Sequence, residues 1–251
     1  MLFPESWVPS SHGACAMMRR MMAMVAMSAC ALVPAGAQSG LSSIDTRVSL
    51  FLADGNTYTA TPPENTPPGG GFAPLAINLL AGTGRVLTLS AEGSSFFCQN
   101  NQCLASTPDG PSIGNTNINS SGRIAGLNAA SSGFLAALFL DDGLPLTAPE
   151  RLTIPSIDFL TLSPLLGQTF FVGNGTTSGG VTQQFFVPDG ATRLYFGIVD
   201  GGSFQGEPGF YGDNQGAYRV SYNVSAVPEP GTFGLLASGV VGLAFLRRRR
   251  A

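Results

Sequence analysis

Short apolar or alternating runs, each closed by glycine, asparagine or aspartate, recur along most of this chain. Runs of about four to eight residues that are rich in Val, Thr, Phe and Tyr and bounded by such turn residues are typical of β-strands. The pattern therefore predicts an all-β body whose spacing favours a jelly-roll-like antiparallel β-sandwich. The predicted strands are RVSLFLA (47–53), RVLTLSAEG (85–93), FLAALFLDDG (134–143), QTFFVGNG (168–175), VTQQFFVPDG (181–190), TRLYFGIVDG (192–201) and AYRVSYNVSA (217–226).

The N-terminal part of the chain has the pattern of a signal peptide. Arg19 and Arg20 precede an apolar stretch (21–33), and Ala35 and Ala37 form the small-x-small pattern that signal peptidase cuts. We therefore predict a signal helix, with residues 1–37 as leader and cleavage after Ala37. A helix of this apolar length reaches only about 20 Å, which is short for a membrane anchor in a hydrocarbon core of about 30 Å.

Two alternatives for the leader remain open. The first 16 residues are unusual for a signal peptide, so translation could begin at Met17 or Met18. Ser28-Ala29-Cys30 weakly resembles a lipoprotein box, in which the thiol of Cys30 would be lipidated, although Met27 fits that pattern poorly.

The C-terminal residues predict the end of the folded body and a membrane segment after it. Pro228 and Pro230 can extend neither a strand ladder nor a helix interior, so the body should occupy residues 38–226. Residues 232–246 carry no charge, reach about 22 Å as a helix and precede four arginines (247–250). We predict a marginal transmembrane helix, whose arginines stay in the cytoplasm by the positive-inside rule. An ordinary tail anchor is the alternative.

Val227-Pro228-Glu229-Pro230, followed by this apolar run and the arginines, resembles the PEP-CTERM sorting signal of Gram-negative bacteria. The resemblance covers residues 227–251 and implies processing by an exosortase at or near Pro-Glu-Pro. It also implies export through the inner membrane, with transient anchoring by the C-terminal hydrophobic helix. The protein would then reside at the cell surface or in the extracellular matrix.

Charge and composition exclude several classes of function for the body. Between Gln38 and Val227 there are thirteen acidic residues against six arginines, a net charge of −7, so nucleic acid is not an expected partner. The chain has no lysine, and its single histidine, His12, lies in the leader. Ser-His-Asp, Cys-His and Ser-Lys catalytic arrangements are therefore excluded in the body, and we predict that it is not an enzyme.

A Pro-Gly-rich loop at 61–71 is either a hairpin tip or a boundary inside the body.

The segment 187–224 carries the most specific pattern of the body, a strand followed by Pro208-Gly209-Phe210-Tyr211-Gly212-Asp213-Asn214-Gln215-Gly216. This pattern resembles the soluble calcium-dependent, galactose-binding bacterial lectins of the PA-I type. Residues 86–97 and 132–143 resemble earlier strands of that domain more loosely. The family fold is a small jelly-roll β-sandwich.

The lectin resemblance implies a Ca²⁺ site. Asp213 and Asn214 would supply side-chain oxygens and Phe210 a backbone carbonyl, with a further carbonyl near Phe97. The acidic ligand of the family falls on Gly206 by direct counting. We assign that role to Asp200, with Glu207 as the neighbouring candidate. The family's sugar-contacting histidine has no counterpart in the body, so the resemblance does not imply galactose specificity.

Cys98 and Cys103 are the only cysteines of the body. Export would place them in an oxidising compartment, so we predict a disulfide between them. The bridge would stiffen the loop that the resemblance places near the calcium site.

Two functions follow from the sequence. In the first, the protein is an exported, lectin-like surface or matrix protein with Ca²⁺ and carbohydrate as ligands, and signal peptidase and exosortase as processing partners. In the second, it is a structural component of the exopolysaccharide matrix with no ligand, and YGDNQG is only a β-turn.

Overall fold

The computed structural model describes residues 36–62, 69–99, 102–111, 114–143 and 145–227. The predicted signal helix and C-terminal hydrophobic helix lie outside the described residues, as do Ala35, Pro228, Glu229 and Pro230. Within the described part, no helix has the length and apolar character needed to cross a membrane.

Strands dominate the described residues, which confirms the prediction of an all-β fold. The helices of the described part are three short 3-10 helices, at Leu50–Gly55, Gly202–Phe204 and Tyr211–Asp213. The strands are β1 Gln38–Asp45, β2 Ile77–Asn78, β3 Arg85–Gln99, β4 Gln102–Ser106, β5 Thr116–Ile118, β6 Leu127–Ala129, β7 Ala136–Leu140, β8 Leu152–Ile154, β9 Thr161–Leu162, β10 Thr169–Phe171, β11 Gln184–Val187, β12 Arg193–Gly197, β13 Gln205–Gly206 and β14 Asn214–Ala226.

The described strands form three sheets. The long sheet has the order β1-β14-β3-β11-β9, with β4 paired to β3. The central sheet has the order β10-β7-β12-β2, and the short sheet β13-β5-β6-β8. Most neighbours are antiparallel, whereas β11–β9, β13–β5 and β6–β8 are parallel.

The central sheet is buried on both faces. Ala137 and Phe139 of β7 pack in one apolar cluster with the long sheet, while Ala136 and Leu138 pack in a second cluster with the short sheet. All five residues of β7 are buried. A strand between two apolar layers has no solvent face, which explains why FLAALFL is continuously apolar. The fold therefore has three layers of sheet, one more than the predicted two-sheet sandwich.

The prediction of a strand at 47–53 is wrong: Arg47 lies in a turn, Val48 and Ser49 form only isolated bridges, and a 3-10 helix begins at Leu50. The helix ends with Asp54 (φ 53°) and Gly55 (φ 74°) in the left-handed region, which no strand can contain. Leu50 and Phe51 are buried in the second apolar cluster. Alternating strand geometry would point these two neighbours to opposite sides, whereas the short helix buries both.

The longest strand pair positions the residues of interest. β14 pairs with β3 from Asn214↔Phe97 to Ala226↔Arg85 without interruption. β14 therefore starts at the turn that resembles the lectin loop and ends at the residue predicted to close the body. The described strands all belong to one compact unit that begins at Ala35, and the interpretation of 61–71 as a boundary stays a prediction.

Candidate functional site

The lectin-like turn lies beside the far end of β3, because Asn214 opens β14 opposite Phe97. Asp200 follows β12, and a backbone bridge between Gly201 and Pro208 folds the intervening segment back toward the turn. One cavity of about 500 Å³ is lined by all four residues predicted to form the cation site: Asp200, Phe210, Asp213 and Asn214. The structure therefore brings the predicted ligands together.

Tyr211 anchors this turn in the core. Its side chain is fully buried, and its hydroxyl donates to the carbonyl of Ile198 and accepts the amide N–H of Asp200, both at 3.2 Å. Its own backbone N–H donates to the carbonyl of Gly69 at 3.0 Å. These bonds fix the turn to the segment after β12 and to the loop before β2.

Asn214 forms the buried centre of the site. It is only 3% exposed, and its Nδ2 donates to Asp200 Oδ2 at 2.7 Å and to the carbonyl of Thr46 at 3.0 Å. Because both acceptors need the NH₂ end of the amide, the orientation of the side chain is set. Its Oδ1 is left buried with no hydrogen-bond partner. Such an orphaned acceptor costs about 1–3 kcal/mol unless a cation or a donor satisfies it.

Asp200 is a buried carboxyl group without a cationic partner in the cavity. It is 4% exposed, and its Oδ1 accepts the N–H of Gly201 at 2.7 Å. The pKa of Asp200 is raised to about 8, mainly by burial of the carboxyl group and to a smaller extent by the negative charge of Asp213. Hydrogen bonds from Asn214 and Gly201 oppose this rise in pKa only in part. The residues that line the cavity, all within the described part, include no arginine. A bound cation would supply the missing counter-charge.

Backbone strain is concentrated at the same cavity. Among the described residues, four non-glycine residues have positive φ, and three of them line this cavity: Ser203 (φ 54°), Phe204 (φ 59°) and Phe210 (φ 66°). A side chain in this region of backbone space costs about 1–3 kcal/mol. Strain of this kind persists where surrounding contacts hold it, and it clusters at ligand sites.

One side of the cavity is aromatic and is closed by a disulfide. Phe97 and Phe204 pack edge to face with their ring centroids 5.2 Å apart, and Phe210 lies nearby in the lining. Cys98 and Cys103 face each other across the β3–β4 hairpin and are bonded, which confirms the predicted disulfide. The cavity thus has a polar, buried floor and an apolar rim that the disulfide stiffens.

Sequence reasoning missed part of the lining. Asn115 and Ser132 also line the cavity, but they come from segments far from the turn in sequence, and neither is among the ligands that the resemblance implies. Glu207, the candidate that competed with Asp200, is not in the lining, and its carboxylate accepts from Asn119 at 2.9 Å. Gly206, on which direct counting places the acidic ligand, has no side chain to contribute.

The donor set fits a hard cation that takes neutral oxygens. Within the described residues, no group of three or more His, Cys, Asp or Glu side chains comes close enough to hold a metal. A cation in this cavity would therefore rely on Asp200, Asp213, the amide of Asn214 and backbone carbonyls. Ca²⁺ accepts such mixed oxygen ligands, usually six to eight of them.

A second cavity of about 350 Å³ provides a contrast. It is lined by Asp109, Asp158 and Asn174, among others. Asp109 Oδ1 accepts the N–H of Asn174 at 2.7 Å, and both oxygens of Asp158 accept from Ser178. Its carboxylates thus already accept hydrogen bonds from the neighbouring segment 174–178.

Comparison with known protein families matches residues 226–250 to the PEP-CTERM protein-sorting motif. A search of curated proteins and a search of solved structures find no significant match to the chain. The match begins at Ala226, the last residue of β14, so the motif follows directly on the folded body. The chain therefore carries the sorting motif of exported proteins that an exosortase processes.

Proposed function

We propose that this is an exosortase-sorted protein of the cell surface or extracellular matrix whose body binds Ca²⁺ and carbohydrate in the Asp200–Asn214 cavity. The observation that carries the proposal is the unpartnered, buried Oδ1 of Asn214 beside the buried carboxyl of Asp200. Both side chains are buried at the cavity, and the Oδ1 of Asn214 has no hydrogen-bond donor there, while the carboxyl of Asp200 has no cationic partner in the lining. A cation between such groups satisfies both.

The residues that would hold the cation come from the floor of the cavity. Asp200 and Asp213 would supply carboxylate oxygens, Asn214 its Oδ1 and Phe210 its backbone carbonyl. Two carboxylates offset the charge of a divalent ion, so the bound state would be close to neutral. Binding requires Asp200 to lose its proton, which couples cation affinity to pH.

Carbohydrate is the ligand class that the rest of the lining supports. The rings of Phe97, Phe204 and Phe210 offer apolar surface for the C–H faces of a sugar, while Asn115 offers donors and an acceptor for hydroxyls. Sugar hydroxyls would complete the coordination shell of the cation, as the lectin resemblance implies. Because the body has no histidine, we propose a glycan specificity other than that of the galactose-binding lectins.

The route to the surface follows from the two ends of the chain. We propose that signal peptidase cleaves after Ala37 and that the hydrophobic segment 232–246 holds the body in the inner membrane of a Gram-negative bacterium until an exosortase acts at Pro-Glu-Pro. The proposal is of a binding protein and not an enzyme, since the body lacks histidine and lysine.

The test is calorimetric titration of Ca²⁺ into the full chain, purified in mild detergent and stripped of divalent ions. Asp200→Asn is the critical variant, because it keeps the shape of the side chain and removes its charge. Asp158→Asn is the matched control, since Asp158 lies at the second cavity. We expect saturable binding by the parent and the control, and at least about tenfold weaker binding by Asp200→Asn.

Thermal unfolding gives an independent readout of the same site. A ligand that binds only the folded state stabilises it by about 2.7 kcal/mol at one hundred times its dissociation constant. If millimolar Ca²⁺ neither binds nor raises the unfolding midpoint of the parent, the residues YGDNQG form a β-turn without a ligand. The structural role in the matrix is then the better description. If Ca²⁺ binds, a glycan array probed with and without the ion tests the carbohydrate.

A further inference from the structure

Strand β1 forms an open edge of the long sheet. It pairs along all eight of its residues with β14, and within the described residues no strand pairs with its outer side. Its sequence, QSGLSSID, lacks the lysines and prolines that commonly protect edge strands. Its one charge, Asp45, lies at the end and is held by the guanidinium of Arg47 at 2.6 Å. Nothing in the strand itself blocks the approach of another strand.

The pairing with β14 shows which backbone groups of β1 face outward. The N–H of Thr46 donates to the carbonyl of Gly216 at 3.3 Å, one step beyond the pair Asp45↔Ala217. Antiparallel strands alternate between bonded and non-bonded pairs, so the even-numbered residues of β1 bond to β14. The N–H and C=O groups of Ser39, Leu41 and Ser43 therefore point away from the sheet, where a further strand would pair.

The side chains of the same three residues are exposed on the outer face of the sheet. Leu41 is 77% exposed, an unusual fraction for a leucine in the middle of a strand. Ser39 and Ser43 flank it and are also exposed. An uncharged edge with an apolar centre favours a partner strand of the same kind.

We propose that β1 is a self-association edge, at which two copies of this chain pair through antiparallel β1 strands around a two-fold axis at Leu41. In this register Leu41 lies opposite Leu41 of the second copy, and Ser39 lies opposite Ser43. Every outward N–H and C=O of these residues gains a partner, and no like charges meet. The two long sheets become one continuous sheet.

This inference goes beyond the proposed binding function and is independent of it. Leu41 pairs with Ser221, seven residues along β14 from Asn214. That separation corresponds to about 23 Å of strand. Changes at Leu41 should therefore leave Ca²⁺ binding intact, and failure of one proposal does not decide the other.

The first experiment is sedimentation equilibrium of the full chain in mild detergent, with and without Leu41→Lys. Lysine on an edge strand opposes pairing, and here each lysine would face the lysine of the other copy. Ser90→Lys is the matched control, because Ser90 is exposed on the same face but two strands inside the edge. We expect a dimer that forms with rising protein concentration in the parent and the control, and association about tenfold weaker in Leu41→Lys.

A cross-linking experiment tests the register. Opposed residues of a bonded antiparallel pair have Cα atoms about 5.5 Å apart, which a disulfide can span. Leu41→Cys should therefore give a disulfide-linked dimer on a non-reducing gel, while Ser90→Cys should not. A parent that stays monomeric at all concentrations, a dimer indifferent to Leu41→Lys, or equal cross-linking of both cysteine variants would overturn the proposal.

Discussion

The lectin resemblance assigns Asp213 and Asn214 to the candidate site, in a turn where these adjacent polar residues are flanked by Gly212 and Gly216. Asp200 could not be separated from Glu207 in the same way, since both are acidic residues of one connecting segment. Burial distinguishes them: Asp200 lies beneath the turn and bonds to Asn214, whereas Glu207 is exposed and bonds to Asn119. The positions of Asp200 and Glu207 in the sequence do not predict which of the two side chains is buried.

The raised pKa of Asp200 predicts an unusual pH dependence of stability. The folded state keeps a proton on Asp200 up to about pH 8, whereas the unfolded state releases it near pH 4. The free energy of unfolding of the metal-free chain should therefore fall as pH rises from about 4 to about 8. Urea unfolding across this range measures the slope.

Asp200→Asn tests the assignment of that slope. The variant should flatten the fall in stability, although Asp109, whose pKa burial also raises, will leave part of it. Millimolar Ca²⁺ should likewise flatten the curve of the parent, because the cation replaces the proton. A parent whose stability is constant or rises over this range contradicts a proton held on Asp200.

At the scale of the element, the periodicity of hydrophobic residues predicted β3, β7, β10, β11, β12 and β14 but failed at 47–53. In the strands that were predicted correctly, apolar residues either alternate with polar ones or form a continuous run, and a turn residue follows. The failure came from an apolar run that packs as a short 3-10 helix. The positive φ angles of Asp54 and Gly55 that end this helix cannot be predicted from the hydrophobic pattern. The strands of the short sheet were also missed, because each has only two or three residues.

The double burial of the central sheet predicts where the core is most sensitive. Phe139 is fully buried and stacks on Phe170 with a centroid distance of 5.1 Å. Phe139→Ala should lower the free energy of unfolding by about 3–5 kcal/mol. Phe186→Ala is the control, because Phe186 is 37% exposed on the long sheet and should cost about 1 kcal/mol or less. Similar costs for the two variants, measured by urea unfolding, would show that β7 is not a two-faced core strand.

The β3–β4 hairpin predicts a local effect of disulfide removal. Replacement of Cys98 and Cys103 by serine opens a small ring and should cost about 2 kcal/mol on the loop-entropy estimate. Cys98, Cys103 and Phe97 all line the cavity. The same change should therefore reduce the free energy of ligand binding by more than it reduces the free energy of unfolding. Parallel calorimetric and urea titrations separate the two effects. Unchanged affinity for Ca²⁺ and glycan would mean that the hairpin does not contribute to the site.

At the scale of the whole molecule, β14 links the candidate binding cavity to the sorting motif. It starts at Asn214 in the cavity and ends at Ala226, where the sorting motif begins, a span of about 40 Å in an extended strand. The prolines at 228 and 230 allowed this boundary to be predicted from sequence. The third layer could not be predicted, because its parallel pairs join segments that are distant in sequence and too short to show a period.

The separation of cavity and tail predicts that sorting and binding can be lost independently. The last deeply buried side chain of the body is Val224, 3% exposed, and beyond it the N–H of Val227 still bonds to Gly84. Replacement of Pro228, Glu229 and Pro230 by alanine should therefore leave the unfolding midpoint and Ca²⁺ affinity unchanged. The same variant should stay in the membrane fraction of the producing cell, while the parent and an exposed control, Glu92→Ala, reach the surface. A triple variant that is sorted normally would mean that processing does not depend on these three residues. A triple variant with a lower unfolding midpoint would mean that the body extends beyond Val227.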